Sequence, residues 1–394
     1  MRFAHISDTH LGYRQYNLDE REEDFYKAFH EAVDKIIASD CEFVIHSGDL
    51  FDEPRPHVRA LVEVRRALDR LHEEDISFFT IAGNHDILMR RGAMIPHAIY
   101  RRMEVLTPKK PWREFDGVFI AGMPYHSKIH VNALKEGLKE LAKKAGEYEG
   151  RILTLHQGID KYFGLEYELK IGDIPEGFDY YALGHIHKRV EDILHGGKLV
   201  YPGSTEVWRI DELPDYEKKG KGFVVVDTKD FSIRRVSLEG VRPFVKVEVD
   251  SDLDVEGIRE MIKGEKRPVL RIVVASDAQH YQGDYQELVR ELGQEVLYLD
   301  VKRKKVAAET EEVVSKTIDI RELMEEAMEG YSEGERDFAY SIFKLLASGN
   351  IDDAMALSEE FCKGWNPEKK DEKSKPPPKV EVRRTGQSSL EAFT

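Results

Sequence analysis

The chain has 394 residues and a mass of 45.4 kDa, enough for one large core with one or two smaller units. Hydrophobic residues make up 41% and charged residues 34%, the balance of a globular protein with a heavily charged surface, and two cysteines, Cys41 and Cys362, speak against a disulfide scaffold or a cysteine-built zinc site. The start MRFAHISDTH lacks the apolar run of a secretion signal and no stretch is long enough to span a bilayer, so a cytoplasmic protein without a membrane segment is expected. The formal charge of -16 opposes a polyanionic partner on average, but bound divalent cations and local basic patches act separately from that sum.

Up to about residue 240, short β-branched runs alternate with longer amphipathic ones. Strands are expected at 2–7, 42–47, 76–83, 118–122, 151–156 and 179–184, and helices at 20–38, 57–74 and 127–146, where apolar residues recur every three or four positions. A segment from Gly220 reads as two more strands joined by a polar turn. The pattern predicts a layered α/β fold, residues 1–240, in which two sheets share helical cover. Residues 241–305 repeat the logic on a smaller scale, with strands at 244–249, 269–274 and 295–303 and helices at 253–262 and 284–292: a small α/β cap. The run Lys302, Arg303, Lys304, Lys305 at its end is either a solvated strand end or a DNA-backbone contact.

Residues 306–332 read as a linker with one short helix, and 333–363 as two helices around a loop at 348–350. Phe338, Ile342, Phe343 and Leu346 line one stripe of the first helix, and Ile351, Met355 and Phe361 belong to the apolar face of the second. So small a unit has little core of its own, which points to docking on a partner or on the main body. The Lys- and Pro-rich tail, 364–394, is expected to be disordered.

Asp8, His10, Asp49, Asn84, His156, His185 and His187 each fall at or just after a predicted strand end. In a layered α/β fold, strand ends on one edge converge while helices carry the intervening sequence away. The residue types suit a pair of divalent cations: a carboxylate can bridge two ions, a neutral imidazole binds one, and an amide supplies a neutral oxygen. Such a pair neutralises phosphoryl charge and activates water, the requirements of phosphodiester hydrolysis. Asp49, with Gly48 permitting a tight turn beside it, is the natural bridge. The mixed His, Asp and Asn set suits manganese, iron or zinc better than magnesium. His85, next to Asn84, is placed to face substrate and protonate the leaving oxygen, with Asp86 as the candidate to orient its ring. His5, His30, His72, His97, His126 and His130 read as core, surface or supporting groups.

Taken together, D-x-H at 8–10, G-D at 48–49, G-N-H-D at 83–86, His156 and G-H-x-H at 184–187 resemble the calcineurin-like metallophosphoesterase superfamily. The resemblance implies one ion on Asp8, His10 and His187, a second on Asn84, His156 and His185, and Asp49 between them. Longer stretches, HISDTHLGYRQYNLDEREEDFYKAF, HSGDLFDEPRP, LHQGI, YYALGHIHKR and YPGSTE, are similar to the archaeal Mre-eleven nuclease family of double-strand-break repair. That likeness implies a layered metallophosphoesterase fold with a capping domain, manganese-dependent 3′ to 5′ exonuclease and single-strand endonuclease activity, homodimerisation, and a Rad-fifty ATPase whose coiled coil takes up the C-terminal helix-loop-helix.

Some relatives carry a histidine where this chain has Asp52, three residues past the bridge, and a carboxylate there lacks that donor and repels DNA unless compensated. Tyr13, Arg14, Asn17 and Arg21 after the first motif, and Lys188 and Arg189 after the last, are candidate DNA contacts, with loop packing as the alternative. Helices near 57–71 and 93–103 offer Val58, Leu61, Val62, Leu68 and Ile99 either to a dimer face or to the core. Competing functions are a binuclear protein or small-molecule phosphatase and a DNA-end tethering subunit whose metals are mainly structural.

Overall fold

The computed structural model describes residues 1–88, 94–249, 255–264, 266–274, 290–303, 328, 331–347, 357–358 and 361. Two six-stranded sheets carry the N-terminal region. In the first, β1 (Arg2–Ile6), β2 (Phe43–His46) and β3 (Ser77–Thr80) run parallel, and β4 (Glu104–Val105) extends them on one side. Parallel neighbours require crossovers, supplied by α1 (Asp19–Ile37) and α2 (Val58–Glu73). Both helices turn one apolar stripe to the sheet: Phe25, Phe29, Ala32, Val33 and Ile36 of α1, and Ala60, Val64, Ala67, Leu68 and Leu71 of α2, are buried.

The second sheet holds β5 (Trp112–Phe115), β6 (Val118–Met123), β7 (Gly150–His156), β8 (Tyr180–Gly184), β9 (Val190–Leu194) and β10 (Gly197–Tyr201), in the spatial order β5-β6-β7-β8-β10-β9. α3 (Val131–Ala145) is the crossover from β6 to β7; α4 (Asp160–Phe163) and α5 (Leu213–Lys219) are short. The chain then returns to the first sheet, where β11 (Gly222–Asp227) lies antiparallel to β1 and β12 (Ile233–Ser237) forms the edge, giving β12-β11-β1-β2-β3-β4.

Strand periodicity places the core. Phe3, Phe43, Ile45 and Phe79 pack into the same cluster as Ile120, Ile152, Tyr180 and Val224, between the sheets. The alternate residues Ala4, Ile6, Val44 and Phe78 face α1 and α2, while Leu153, Leu155, Tyr181 and Leu183 face α3. Strands buried on both faces explain why these segments read as nearly continuous apolar runs.

A third, parallel sheet, β13 (Phe244–Val249), β14 (Val269–Val274) and β15 (Tyr298–Arg303), packs with α6 (Val255–Ile262) around Ile258, Ile262, Leu270 and Ile272. It belongs to one compact unit with the large sheets, residues 1–88 and 92–306. Arg242 Nη2 donates to Asp24 Oδ1 at 2.9 Å, and the rings of Tyr16 and Tyr298 stack at 4.0 Å across the same seam.

Residues 89–91 and 307–394 form a second unit. Its α7 (Glu333–Ala347) opens on a capping box, Ser332 N–H donating to the Glu335 carboxylate at 2.8 Å and Glu335 N–H to Ser332 Oγ at 3.4 Å, and Phe338 stacks on Phe361 at 3.9 Å. Ile342 is half-buried and Phe343 exposed. Ile351, Met355, the side chain of Leu346, Lys304, Lys305, most of the 306–332 linker and the 364–394 tail lie outside the described residues.

The strand expected at 76–83 stops at Thr80, because the chain leaves the sheet to bring Gly83 and Asn84 inward. In place of a helix near 93–103, residues Pro96–Ile99 make a short 3-10 turn, with Pro96 at its start, and β4 follows. β4, β5, β9 and β10 were not expected: β4 has only two residues, β9 shows a broken alternation, and β10 opens on Gly197 and Lys198 instead of an apolar run.

Candidate metal centre

The loops after β1 and β2 are zipped together by their backbones: Asp8 N–H donates to Gly48 O at 3.1 Å, and Thr9 and His10 N–H both donate to Asp49 O at 3.0 and 3.1 Å. Asp8, His10, Asp49 and His185 all have positive φ, between 43° and 93°, so four candidate ligands sit on backbone that ordinary residues avoid. Two glycines are demanded by space. A Cβ on Gly48, whose φ is +97°, would lie 2.4 Å from His156 Nδ1, and one on Gly83 would lie 2.1 Å from Asp49 Oδ1.

All seven expected ligands meet at this edge, four from the first sheet and three from the second. His10 Nε2 and His187 Nε2 are 3.1 Å apart, with Asp8 Oδ1 3.9 Å from His187 Nε2. Asn84 Oδ1 lies 3.1 Å from His156 Nε2 and 2.9 Å from His185 Nδ1. Asp49 Oδ2 stands between the groups, 3.2 Å from His156 Nε2 and 3.8 Å from His10 Nε2. Asp8, His10 and His187 form one cluster able to hold a cation, and Asp49, His156 and His185 form another.

The donor chemistry fits two cations. Two of the inward-facing rings have their other nitrogen hydrogen-bonded to an oxygen, His156 Nδ1 to the Ser47 carbonyl at 2.8 Å and His187 Nδ1 to Glu212 at 2.9 Å, while His185 Nε2 lies 3.8 Å from Glu168, outside hydrogen-bond reach. His10 Nδ1 is 3.2 Å from Asp52 Oδ1, an ion-pair contact off the line of a hydrogen bond. Backing by hydrogen-bond acceptors turns the lone pairs of His156 and His187 inward, and the facing nitrogens of His10 and His187 at 3.1 Å are spaced to share either a proton or a cation. Burial keeps His185 neutral, with a pKa lowered to about 3. At His156 burial also disfavours the charged ring, yet the Asp49 carboxylate outweighs it and lifts the pKa to about 9, so this point in the site attracts positive charge.

His85 is half-buried, and its Nδ1 lies 2.8 Å from the backbone oxygen of Asp52, which orients the ring. Asp86 does not do so, contrary to expectation. Its buried carboxylate accepts from Leu50 N–H (3.2 Å), Phe51 N–H (3.0 Å) and Gly83 N–H (2.9 Å), fastening the loop of Asp49 to that of Asn84. Successive side chains at 85 and 86 point apart, so adjacency in sequence could not make them partners.

Asp52, the uncomfortable position in the sequence, is turned inward: besides His10 it accepts from Trp208 Nε1 at 3.1 Å. The indole stacks on His10 at 5.1 Å and meets His85 and His187 edge-on at 5.5 and 5.0 Å. Trp208, Glu212 and Glu168 were missed because none sits in a metal motif; the one available signal was that Trp208 and Glu212 follow closely on YPGSTE. The opening above the ligands is a crevice of about 360 Å³ lined by His85, Phe163, Lys188, Trp208 and Arg209 among others.

The six candidate DNA contacts divide. Arg21 is fully buried and bonded to Gln15, Asp24 and the Val207 carbonyl, and Arg189 is buried beside Lys219, so neither faces the crevice. Arg14 is exposed but paired with Asp19 at 2.6 Å, and Tyr13 packs between Phe25 and Trp208. Asn17 and Lys188 are exposed, Lys188 on the crevice rim.

Two sheets that deliver such a donor set along one edge define a binuclear phosphoesterase, and the family model described as calcineurin-like phosphoesterase matches residues 1–189. Similar proteins include the DNA double-strand break repair protein Mre11 of Methanocaldococcus jannaschii, 41% identical over 278 residues covering 68% of this chain and 75% of that one. The protein of the same description from Methanococcus maripaludis is 33% identical over 92% of this chain and 100% of its own, and that of Thermoplasma acidophilum 38% identical over 69% and 76%. The chain belongs to the archaeal Mre11 family. Among the described residues, no helix is long and apolar enough to cross a membrane.

Proposed function

We propose that the chain hydrolyses phosphodiester bonds at DNA ends with two divalent ions, acting in the cytoplasm on double-strand breaks as a manganese-dependent 3′ to 5′ exonuclease and single-strand endonuclease. The observation that carries this reading is the convergence of seven donors from two sheets on one crevice, in a chain of the Mre11 family. Asp8, His10 and His187 would hold one ion, Asn84, His156 and His185 the other, with Asp49 reaching both. Two such ions, when bound, supply positive charge to the phosphoryl oxygens and activate water. The chain's own groups do the rest. His85 keeps its Nδ1 on the Asp52 carbonyl whether neutral or cationic, so Nε2 is the atom that holds and releases a proton toward the leaving oxygen. Trp208 and Phe163 wall the crevice with flat apolar surface suited to an unstacked base, and Lys188 and Arg209 offer cations to the backbone.

Two assemblies accompany this reading. Val58, Val62 and Ile99 are 75%, 38% and 58% exposed, apolar groups of the kind a second copy would cover, which supports a homodimer. Exposed Phe343 on α7 supports docking of residues 333–363 on the coiled coil of a Rad-fifty-type ATPase.

The test compares wild type, His85→Ala and His156→Ala on labelled single- and double-stranded DNA, with metal content measured in each. Wild type is expected to cut DNA with manganese, His85→Ala to keep two ions and lose cutting, and His156→Ala to lose an ion as well. Full cutting by His85→Ala would remove its role as acid. Phosphomonoester turnover matching that of DNA would point to a phosphatase, and tight DNA binding without manganese-stimulated cutting by wild type would point to a tethering subunit.

A further inference from the structure

Behind His187, Glu212 belongs to a wider group of buried polar side chains. Glu212 ends the short turn Ile210–Glu212, with Oε1 2.9 Å from His187 Nδ1. Its Oε2 accepts from Lys221 and, at 3.2 Å, from Ser204 Oγ. Lys221, next to the start of β11, sends the same ammonium to the His187 carbonyl at 3.2 Å and to Ser204 Oγ at 2.7 Å. All three side chains are buried. The Glu212 carboxylate also accepts from the backbone N–H groups of Arg209 at 2.9 Å and Trp208 at 3.4 Å, the turn that sets the indole against His10, His85 and His187.

A buried ion pair is a poor source of stability, because removing both charges from water offsets most of their attraction. This one instead grips a single histidine at both its ring and its carbonyl. The two halves of the centre also differ in their backing: the ring of His156 rests on a backbone carbonyl, Ser47 O, and that of His187 on a carboxylate.

We infer that Glu212, seated by Lys221, is a positioning residue for His187 that fixes the Nδ1–H tautomer, keeps the Nε2 lone pair on the side shared with His10 and Asp8, and so governs one of the two ion sites selectively. The same carboxylate couples that site to the Trp208 wall. The inference rests on the two-metal reading, since the lone pair it preserves is the one an ion would use.

Two measurements on the full-length protein test it. Long-range 1H–15N spectra of histidine-labelled, metal-free wild type, recorded at a pH where the ring carries a single proton, report which nitrogen of His187 holds it; Nδ1–H is expected. Manganese titration calorimetry with metal analysis then compares wild type, Glu212→Gln and Glu212→Gln/Lys221→Met. An amide has one oxygen for Lys221 and His187 together, so the single variant should bind one ion normally and the other about 10- to 100-fold more weakly. Removing the ammonium in the double variant frees that oxygen for His187 and should restore much of the loss, a rescue that a purely structural role does not produce. Two ions at wild-type affinity in Glu212→Gln, or an Nε2–H tautomer in wild type, overturns the inference. If Glu212→Gln does not fold, the wild-type tautomer decides alone. Wild type binding fewer than two ions counts against the two-metal reading, while the tautomer still judges Glu212.

Discussion

At Arg21 the guanidinium is fully buried, with Asp24 at 2.7 Å, Gln15 at 2.8 Å, the Val207 carbonyl at 3.0 Å and Glu206 at 3.4 Å. Burial pushes the Glu206 carboxyl above its ordinary pKa against the pull of Arg21, so the charges here depend on one another. Arg21→Met would leave Glu206 without its cation and Asp24 with Arg242 alone, and removing one partner of a buried pair costs about 3–5 kcal/mol. Urea unfolding should show that loss, whereas the salt dependence of DNA binding should be unchanged; a reduced salt slope at unaltered stability would return Arg21 to the DNA path. Spacing placed Arg21 beside the first ligand motif, but only the fold reveals that the α1 face carrying it turns inward, and Arg189 was misplaced in the same way. Asp8, His10 and Asp49 were legible for the opposite reason: strand-end position and a neighbouring glycine restrict where such side chains can go.

Along α2 the two faces carry different fates that one apolar pattern could not separate. Leu68 is buried in the core beneath the helix, while Val58 and Val62 stand exposed. Leu68→Ala should lower unfolding free energy by about 2–5 kcal/mol without changing oligomeric state. Val58→Asp with Val62→Asp should do the reverse, leaving the melting temperature of the subunit nearly unchanged while light scattering reports loss of the proposed homodimer; an oligomeric state equal to that of wild type would count against this face as the interface. The strands β1, β2, β7 and β8 stood out in the sequence because burial on both faces makes them uniformly apolar. β9, an edge strand with Glu191, Asp192 and exposed Ile193, carries no such signal, and its hairpin with β10 is fixed by pairing rather than by composition.

For the molecule as a whole, the metal centre lies on the seam of the two sheets, and each inferred ion takes ligands from both. Ions that bind only the folded chain stabilise it by mass action, about 2.7 kcal/mol for one site at a hundredfold excess over Kd. Dialysis against chelator should therefore lower the melting temperature of wild type and restore it on return of manganese, with a smaller response in His156→Ala. Equal melting curves with and without metal would show that the sheets hold their seam unaided. His10 and His187, whose facing nitrogens are 3.1 Å apart, are separated by 177 residues of chain. In polymer terms, an ion between them closes a loop of that length, and a permanent cross-link of the same span removes roughly 5 kcal/mol of unfolded-chain entropy. A chain with two cysteines, only one of them among the described residues, thus has at its centre a fastening that spans as much chain as a long-range disulfide but leaves the unfolded chain unconstrained, and that opens and closes with the supply of metal instead of with redox state.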